Sequence, residues 1–374
     1  MTKKLTPNVR FKGFSDDWEQ RKLGEVLRVN SGKDYKHLES GNIPVYGTGG
    51  KMLMVNDKLS SENAIGIGRK GTIDHPLFLK APFWTVDTLF FMTKFPDNDL
   101  LFLYALCQKI QWKKYDESTG VPSLSKSTIN KIDVLIPQID EQTQIGNLFN
   151  VINATIASNQ KKVDQLKQLK KLFLQKIFSQ EWRFKGFTDP WEQRKLGELV
   201  TPVQRVVAKP NNPYTRISIR SHAKGTFHTR VEDPKKVAMD KLYIVKKDDL
   251  IVNITFAWEH AIAIAKSDDD GLLVSHRFPT YIIDKADIQF VHFLTSLEIF
   301  RHKMALISPG GAGRNRVLNK KDFLQIKIFV PNKLVEEEKI GQCLDKLDTL
   351  IASNQKKLEQ LKQLKKWFLQ NMFV

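Results

Sequence analysis

At 374 residues the chain exceeds the ~250–300 at which a single hydrophobic core stops growing, so two or more globular units are expected. Fifty-nine Lys and Arg against 41 Asp and Glu give a formal charge of +18, an excess that favours a polyanionic partner. The only cysteines, Cys107 and Cys343, exclude a disulfide framework or a cysteine zinc site and fit a reducing cytoplasm. The opening residues lack the apolar core of a signal peptide, and no run reaches the ~18 apolar residues of a membrane span.

In chain order, residues 10–25 form a segment ending in Trp-Glu-Gln-Arg-Lys-Leu-Gly-Glu. Residues 42–51 predict a strand running into a glycine turn, and 64–73 a hairpin with Arg69 and Lys70 at its tip. Residues 82–91 predict another strand, and 99–115 carry helical spacing. A polar loop over 118–127 leads into a strand over 131–136. Residues 183–198 then repeat the first segment almost unchanged. Beyond it, 243–252 and 258–265 predict strands and 290–306 a helix. His222 and His228 belong to a basic loop. A second polar loop, 308–316, precedes a strand over 324–330.

From Ile145 the pattern is a heptad seam: Ile145, Phe149, Ile152, Ile156, Asn159, Val163, Leu166, Lys170, Phe173 and Ile177 alternate spacings of four and three. Ile340, Leu344, Leu347, Ile351, Asn354, Leu358, Leu361, Lys365, Phe368 and Met372 fall on the same grid. Such a seam predicts two long helices in a left-handed coiled coil. Acidic residues open each helix, where the helix dipole favours them. Asn159 and Asn354 share one seam position, so antiparallel partners would bring the two amides together or leave each facing water.

The segments are duplicated, whereas the inserts between them share almost nothing. Arg10 and Arg183 stand 173 positions apart, Ile156 and Ile351 195 apart, so the second insert is the longer. Two units are too few for a solenoid. The expectation is an α+β, pseudo-two-fold chain: mixed α/β domains over 1–139 and 181–333 alternate with helices over 140–180 and 334–374 that form an antiparallel coiled coil. A constant frame with variable inserts keeps partners while changing a target. The candidate nucleic-acid contacts are Tyr46, Lys51, Arg69, Lys70, Ser123, Ser125 and Lys126 in the first insert. In the second they are Arg220, Lys224, Arg314, Asn315 and Arg316.

No catalytic constellation emerges. Asn211-Asn212-Pro213-Tyr214 is one proline short of the amino-methyltransferase tetrapeptide, and Gly47-Thr48-Gly49-Gly50-Lys51 fails the Walker spacing. Glu337-Glu338-Lys339 has no matching upstream Pro-Asp for a nuclease metal site, and the eight histidines lack metal-ligand spacing.

The duplicated Trp-Glu-Gln-Arg-Lys-Leu-Gly-Glu, the strand leading through a proline into Glu141-Gln142 and Ile145-Gly146, and the two matching helices closely resemble the specificity subunit of Type I restriction–modification systems. Residues 43–50, 68–72 and 83–88 look like segments of that family's first target-recognition domains. The second copy departs at 334–339, where an acidic run replaces Glu-Gln. The resemblance implies that each variable domain reads one half of a split double-stranded DNA target. The helices would set half-site separation and dock two methyltransferase subunits, with restriction/motor subunits outside. It implies no chemistry in this chain; S-adenosylmethionine, ATP and magnesium belong to the partners. A stand-alone modification enzyme and a non-specific basic nucleic-acid scaffold are the competing readings.

Overall fold

The computed structural model describes residues 5–310 and 316–374. The chain divides into two compact units: residues up to Lys162 together with Asn354–Val374, and Val163–Ser353. Both units combine small sheets with helices in an α+β arrangement.

In unit 1, β1 (Glu19–Lys22) runs into the one-turn helix α1 (Leu23–Val26) and then β2 (Leu27–Ser31). The insert continues with β3 (Ile43–Gly47), β4 (Gly50–Val55), β5 (Ala64–Gly68), β6 (Leu77–Leu79), β7 (Trp84–Thr85) and β8 (Leu89–Lys94). Helix α2 (Leu100–Lys109), the short helix α3 (Lys126–Lys131) and β9 (Asp133–Ile136) lead into the 40-residue helix α4 (Ile139–Phe178). Strand β1 pairs antiparallel with β9, while the other strands form sheets in the orders β2-β8-β5-β6 and β4-β3-β7.

Unit 2 repeats the frame: β10 (Glu192–Lys195), then β11 (Val200–Val203) and β12 (Val206–Ala208). Strands β13 (Tyr214–Ile219), β14 (Thr226–Val231), β15 (Lys241–Ile244), β16 (Leu250–Val252), β17 (Ile262–Ile264), β18 (Leu273–Val274) and β19 (Thr280–Ile283) follow. Helices α5 (Ile288–Ser296), α6 (Glu298–Leu306) and α7 (Lys320–Leu324) precede β20 (Lys327–Val330) and the 38-residue α8 (Leu334–Asn371). The pairing of β10 with β20 matches that of β1 with β9. The remaining sheets run β11-β19-β16-β17 and β12-β15-β18-β13-β14.

Several sequence expectations need correction. Residues 64–73 do not fold back on themselves: β5 pairs with β6, and Arg69 and Lys70 begin the loop between them. The reason is that Arg69 N–H donates to Thr88 O (2.8 Å) and Gly71 N–H to Pro122 O (2.8 Å), so this backbone is stitched to other segments. Residues 82–91 form two strands, β7 and β8, in different sheets, because Leu89 N–H turns back to Val86 O (3.0 Å). Likewise 243–252 splits where Asp249 caps the turn, its carboxylate accepting from Lys246 N–H (2.8 Å). Residues 258–265 begin as a helical turn and enter β17 only at Ile262. The helix over 290–306 breaks at Leu297, which has extended backbone. The strands before each long helix are preceded by α3 and α7, capped by Ser125 and Asn319. His228 stands on β14 with its ring against Asp269 (2.8 Å), whereas His222 is in the turn.

The duplicated segments make the same contacts in each unit. The Arg10 guanidinium grips Glu141 through two bonds of 2.7 Å, and Arg183 grips Glu336 at 2.6 and 2.8 Å. Both carboxylates are buried, so removing one partner would leave a charge unpaired at a cost of ~3–5 kcal/mol. In unit 1, Trp18 stands edge-on to Phe102, which stacks on Phe373 at 5.4 Å. In unit 2, Trp191 stands edge-on to Phe290, which stacks on Phe178 at 5.6 Å. Gly146 and Gly341 allow the first turns of α4 and α8 to lie against the N-termini of α2 and α5. A Cβ there would sit 2.3 Å from Asp99 Oδ1 or 2.4 Å from Asp287 Oδ1.

The seam residues behave as the heptads require within each unit. In unit 1, Ile145 and Phe149 share a core with Phe368, Met372 and Phe373, and Ile156, Asn159 and Leu361 are half-buried. In unit 2, Phe173 and Ile177 share a core with Ile340, Leu344 and Leu347, and Lys170 pairs with Asp348 at 2.6 Å. Late turns of one helix therefore meet early turns of the other, an antiparallel sense. Val163, Ile351 and Leu358 are buried, and Leu166 is half-buried. Asn159 Nδ2 donates to Thr155 O of its own helix at 2.8 Å.

The acidic departure of the second copy has a structural counterpart. Gln142 accepts from Asp99 N–H and donates to Pro137 O, both at 2.9 Å. Glu337 stands in its place and accepts from Asp287 N–H at 2.8 Å. Burial pushes the Glu337 carboxyl up to about 7, against the Asp287 N–H that favours its ionised form; Asp287, Glu336 and Arg194 are the charged groups nearby. A carboxyl raised on folding contributes its stability below its unfolded value near 4.5, and loses it as pH rises through about 7. Glu337→Gln should thus stabilise unit 2 by roughly 3 kcal/mol at pH 8.5 and by little at pH 5. Thermal unfolding across this range checks it; parallel pH profiles for parent and variant would refute it.

Candidate nucleic-acid interface

In unit 1 the polar loop is built around two acidic residues. The Asp116 carboxylate accepts from Ser123 N–H (2.9 Å) and Ser118 N–H (3.0 Å), which hold it below the usual carboxylate range. Glu117 takes the hydroxyls of Thr128 and Ser125, which lower it likewise. Ser125 in turn caps α3 by accepting from Thr128 N–H (3.1 Å). Loop and hairpin are then joined: Leu124 N–H donates to Arg69 O (3.0 Å), and Lys70 and Ser123 form a β-bridge.

The result is a cleft of about 380 Å³ lined by Ser31, Arg69, Lys70, Phe90, Ser123, Ser125 and Lys126. The fold therefore brings together five of the seven residues singled out in the first insert. Arg69 lies over the Phe90 ring at 5.9 Å, and Arg69, Lys70 and Lys126 are exposed. A second cleft of about 700 Å³ holds Lys51, on β4 just after the glycine turn, together with Lys36, Asp34, Asp87 and Thr88. Thr88 adjoins both, since its carbonyl accepts from Arg69 N–H. Tyr46 lines neither cleft: it pairs across the strands with Lys51 and is half-buried among Val45, Trp84 and Leu59.

Unit 2 distributes its candidates differently. Arg314 and Asn315 lie outside the described residues. Arg316 Nε and Nη2 donate to Ser308 O (3.1 Å) and Ala305 O (3.2 Å), closing the end of α6, and the guanidinium lies over Trp258 at 5.3 Å. Arg220 and Lys224 occupy the turn between β13 and β14, both exposed.

Sequence reasoning missed a cleft of about 190 Å³ lined by Gln204, Arg205, Tyr243, His276, Lys320 and Lys321. It lies beside the end of β11, its partner β19 and the start of α7. In unit 1 the smaller cleft lies beside β2, its partner β8 and the start of α3. Lys126 and Lys320 are the first residues of these two short helices. Arg205 is fixed by Asp249 through bonds of 2.5 and 3.1 Å, leaving Lys320 and Lys321 as the exposed cations. The available signal was the cap pattern, Ser or Asn followed by two residues and then Thr or Asp.

Two basic clefts at equivalent places can neutralise phosphates, while serines, amides and aromatic rings nearby can meet base edges. Among the described residues no cluster of His, Cys, Asp and Glu could hold a metal ion, and no helix is long and apolar enough to cross a membrane.

Comparison with known proteins is consistent with two units. Residues 15–168 and 188–363 each match the family model described as Type I restriction modification DNA specificity domain. The chain is 23% identical to the Type I restriction enzyme MjaVIII specificity subunit of Methanocaldococcus jannaschii, over 94% of this chain and 91% of that protein. It is 22% identical to a putative type I restriction enzyme MjaX specificity subunit of the same organism, over 65% and 59% respectively. In fold it is similar to the crystal structure of a Type-I restriction-modification S subunit from M. genitalium, with a TM-score of 0.67 at 14% identity, covering 99% of both chains.

The two arrangements of charge predict different mutant behaviour. Lys126→Ala and Lys320→Ala should each weaken binding to duplex DNA of any sequence and reduce the log–log salt slope by about one charge. Arg316→Ala should instead lower the thermal stability of unit 2. Salt titrations and melting curves of the variants check both; an unchanged melting profile for Arg316→Ala would show that its backbone bonds are dispensable.

Proposed function

Because the chain belongs to the family of Type I restriction–modification DNA specificity domains, we propose that it reads a bipartite duplex target, one half through the insert of each unit, and directs methylation and restriction by partner subunits. The observation that carries this reading is the repetition of one set of frame contacts around two inserts of unlike sequence and length. The frame is what partners recognise, and the inserts are what DNA meets. In this reading the chemistry belongs to the partners: adenine methylation from S-adenosylmethionine, and ATP- and magnesium-dependent restriction.

Exchanging residues 199–331 for the corresponding insert of a relative should change one half-site and leave the other as it was. Sequencing methylated adenines in cellular DNA reads the outcome. Change in both halves would refute independent reading, and methylation without sequence preference would favour a non-specific scaffold.

The long helices support a second feature, two copies of one partner. Leu169 and Leu172 are exposed on α4, and Leu364 and Trp367 are exposed at the matching positions of α8. Equivalent apolar pairs at matching positions of the repeated frame fit two methyltransferase subunits that bind alike. Leu364→Asp with Trp367→Asp should remove one methyltransferase subunit from the assembled complex, and Leu169→Asp with Leu172→Asp the other. Native mass spectrometry gives the stoichiometry; two bound subunits in both variants would place docking elsewhere.

A further inference from the structure

The ribbon of β13 and β14 presents a surface that the core of unit 2 does not require. It ends the five-stranded sheet, with β14 at the edge. Residues directly opposite in an antiparallel pair share a face. One face buries Ile217 and Ile219, and carries Thr226 and His228 on the buried Asp269 at 3.0 and 2.8 Å. The other face is anchored at its base by Tyr214 against Val231, and toward the turn it carries Arg216, Ser218, Phe227 and Thr229.

Phe227 remains 39% exposed, with the Arg220 guanidinium 5.1 Å from its ring centre. From Tyr214 to Val231 the cationic side chains are Arg216, Arg220, Lys224 and Arg230, and there is no acidic one. The turn is braced on the segment after β16: His222 N–H donates to Glu259 O and Ala223 N–H to His260 O, both at 2.8 Å. Ser221 Oγ donates to the Glu259 carboxylate at 2.6 Å.

We propose that this ribbon enters the major groove of the half-site read by unit 2, where Phe227 packs against the C5-methyl group of a thymine. The inference rests on the DNA-reading role above and adds the base feature and the side chain that reads it. A major groove of ~12 Å admits a two-stranded ribbon, and the thymine methyl is the apolar group that unmodified bases display there. Arginines around the phenylalanine suit the flanking phosphates and guanine edges. A protein partner would instead favour an interface core depleted of charge.

The test uses the assembled complex and its own target, with each thymine of that half-site replaced singly by deoxyuridine, which removes only the methyl group. One replacement should weaken binding by the parent complex roughly fourfold, the loss expected for one buried methyl. Phe227→Ala should weaken binding to the unmodified duplex to a similar extent and show no further loss with that uridine. Phe227→Leu, which keeps an apolar side chain, should retain part of the sensitivity. A half-site without thymine, insensitivity to every uridine, or undiminished sensitivity in Phe227→Ala would overturn the proposal. So would loss of a partner subunit from the Phe227→Ala complex with thymine sensitivity intact, which would make the ribbon a protein interface. A parent complex that binds target and shuffled DNA alike would overturn the DNA-reading role itself.

Discussion

In each unit an indole stands edge-on to a pair of stacked phenyl rings, and the rest of the frame is arranged about that contact. The three rings come from the duplicated opening segment, the N-terminal turn of the domain helix and the end of a long helix. Trp18 and Phe102 are almost completely buried, and such rings each bury ~150–250 Å² and prefer these offset and edge-on geometries. Truncating a buried phenylalanine costs ~3–5 kcal/mol, so loss of Phe373 would release a helix end as well as a packing contact, and loss of the half-buried Phe178 would cost less. The arginine–glutamate clasp beside the rings adds direction to this apolar anchor: its forked geometry fixes how the opening segment crosses the first turn of the long helix.

This anchor leaves the inserts free to diverge. They attach through the β1–β9 and β10–β20 pairs and the caps of α2 and α5, so their outer strands need only preserve the positions at which they meet the frame. The inserts differ in sequence and length, yet they keep one strand plan: β11-β19-β16-β17 repeats β2-β8-β5-β6, and β18-β13-β14 repeats β7-β3-β4 with β12 and β15 added. Both also place a basic cleft beside a short capped helix. The frame also tolerates chemical change where geometry is kept. Gln142 and Glu337 receive equivalent backbone N–H groups, from Asp99 and Asp287, and burial pushes the Glu337 carboxyl up.

The parts legible in the sequence were those with a long period. Heptads sustained over some 30 residues define a helix, and near-identical segments define a repeat. Short strands were less legible because alternation does not reveal a tight turn that lacks glycine or proline, such as Val86-Asp87-Thr88. The site shows the same division. Arg69, Lys70, Ser123, Ser125 and Lys126 stood out as polar residues in glycine- and serine-rich loops, and tertiary pairing gathers them. Arg316 carried the same chemical signal, but the carbonyls at the end of α6 occupy it. Phe227 gave none, since an apolar residue in a strand reads as core until the opposite face is seen to hold Ile217 and Ile219.

The way the frame handles its own backbone has a consequence for topology. Trp182 N–H, just after the first long helix, donates to Lys176 O at 3.0 Å. Val9 N–H, at the corresponding place in the first copy, donates to Asn371 O at 2.9 Å, and Asn8 Nδ2 reaches the Asn371 side chain. In one unit the junction between helix end and opening segment is covalent; in the other it is made by hydrogen bonds and ring packing alone. The frame thus fixes one junction twice, once along the chain and once between segments 362 residues apart in sequence, through the same backbone donor and acceptor positions.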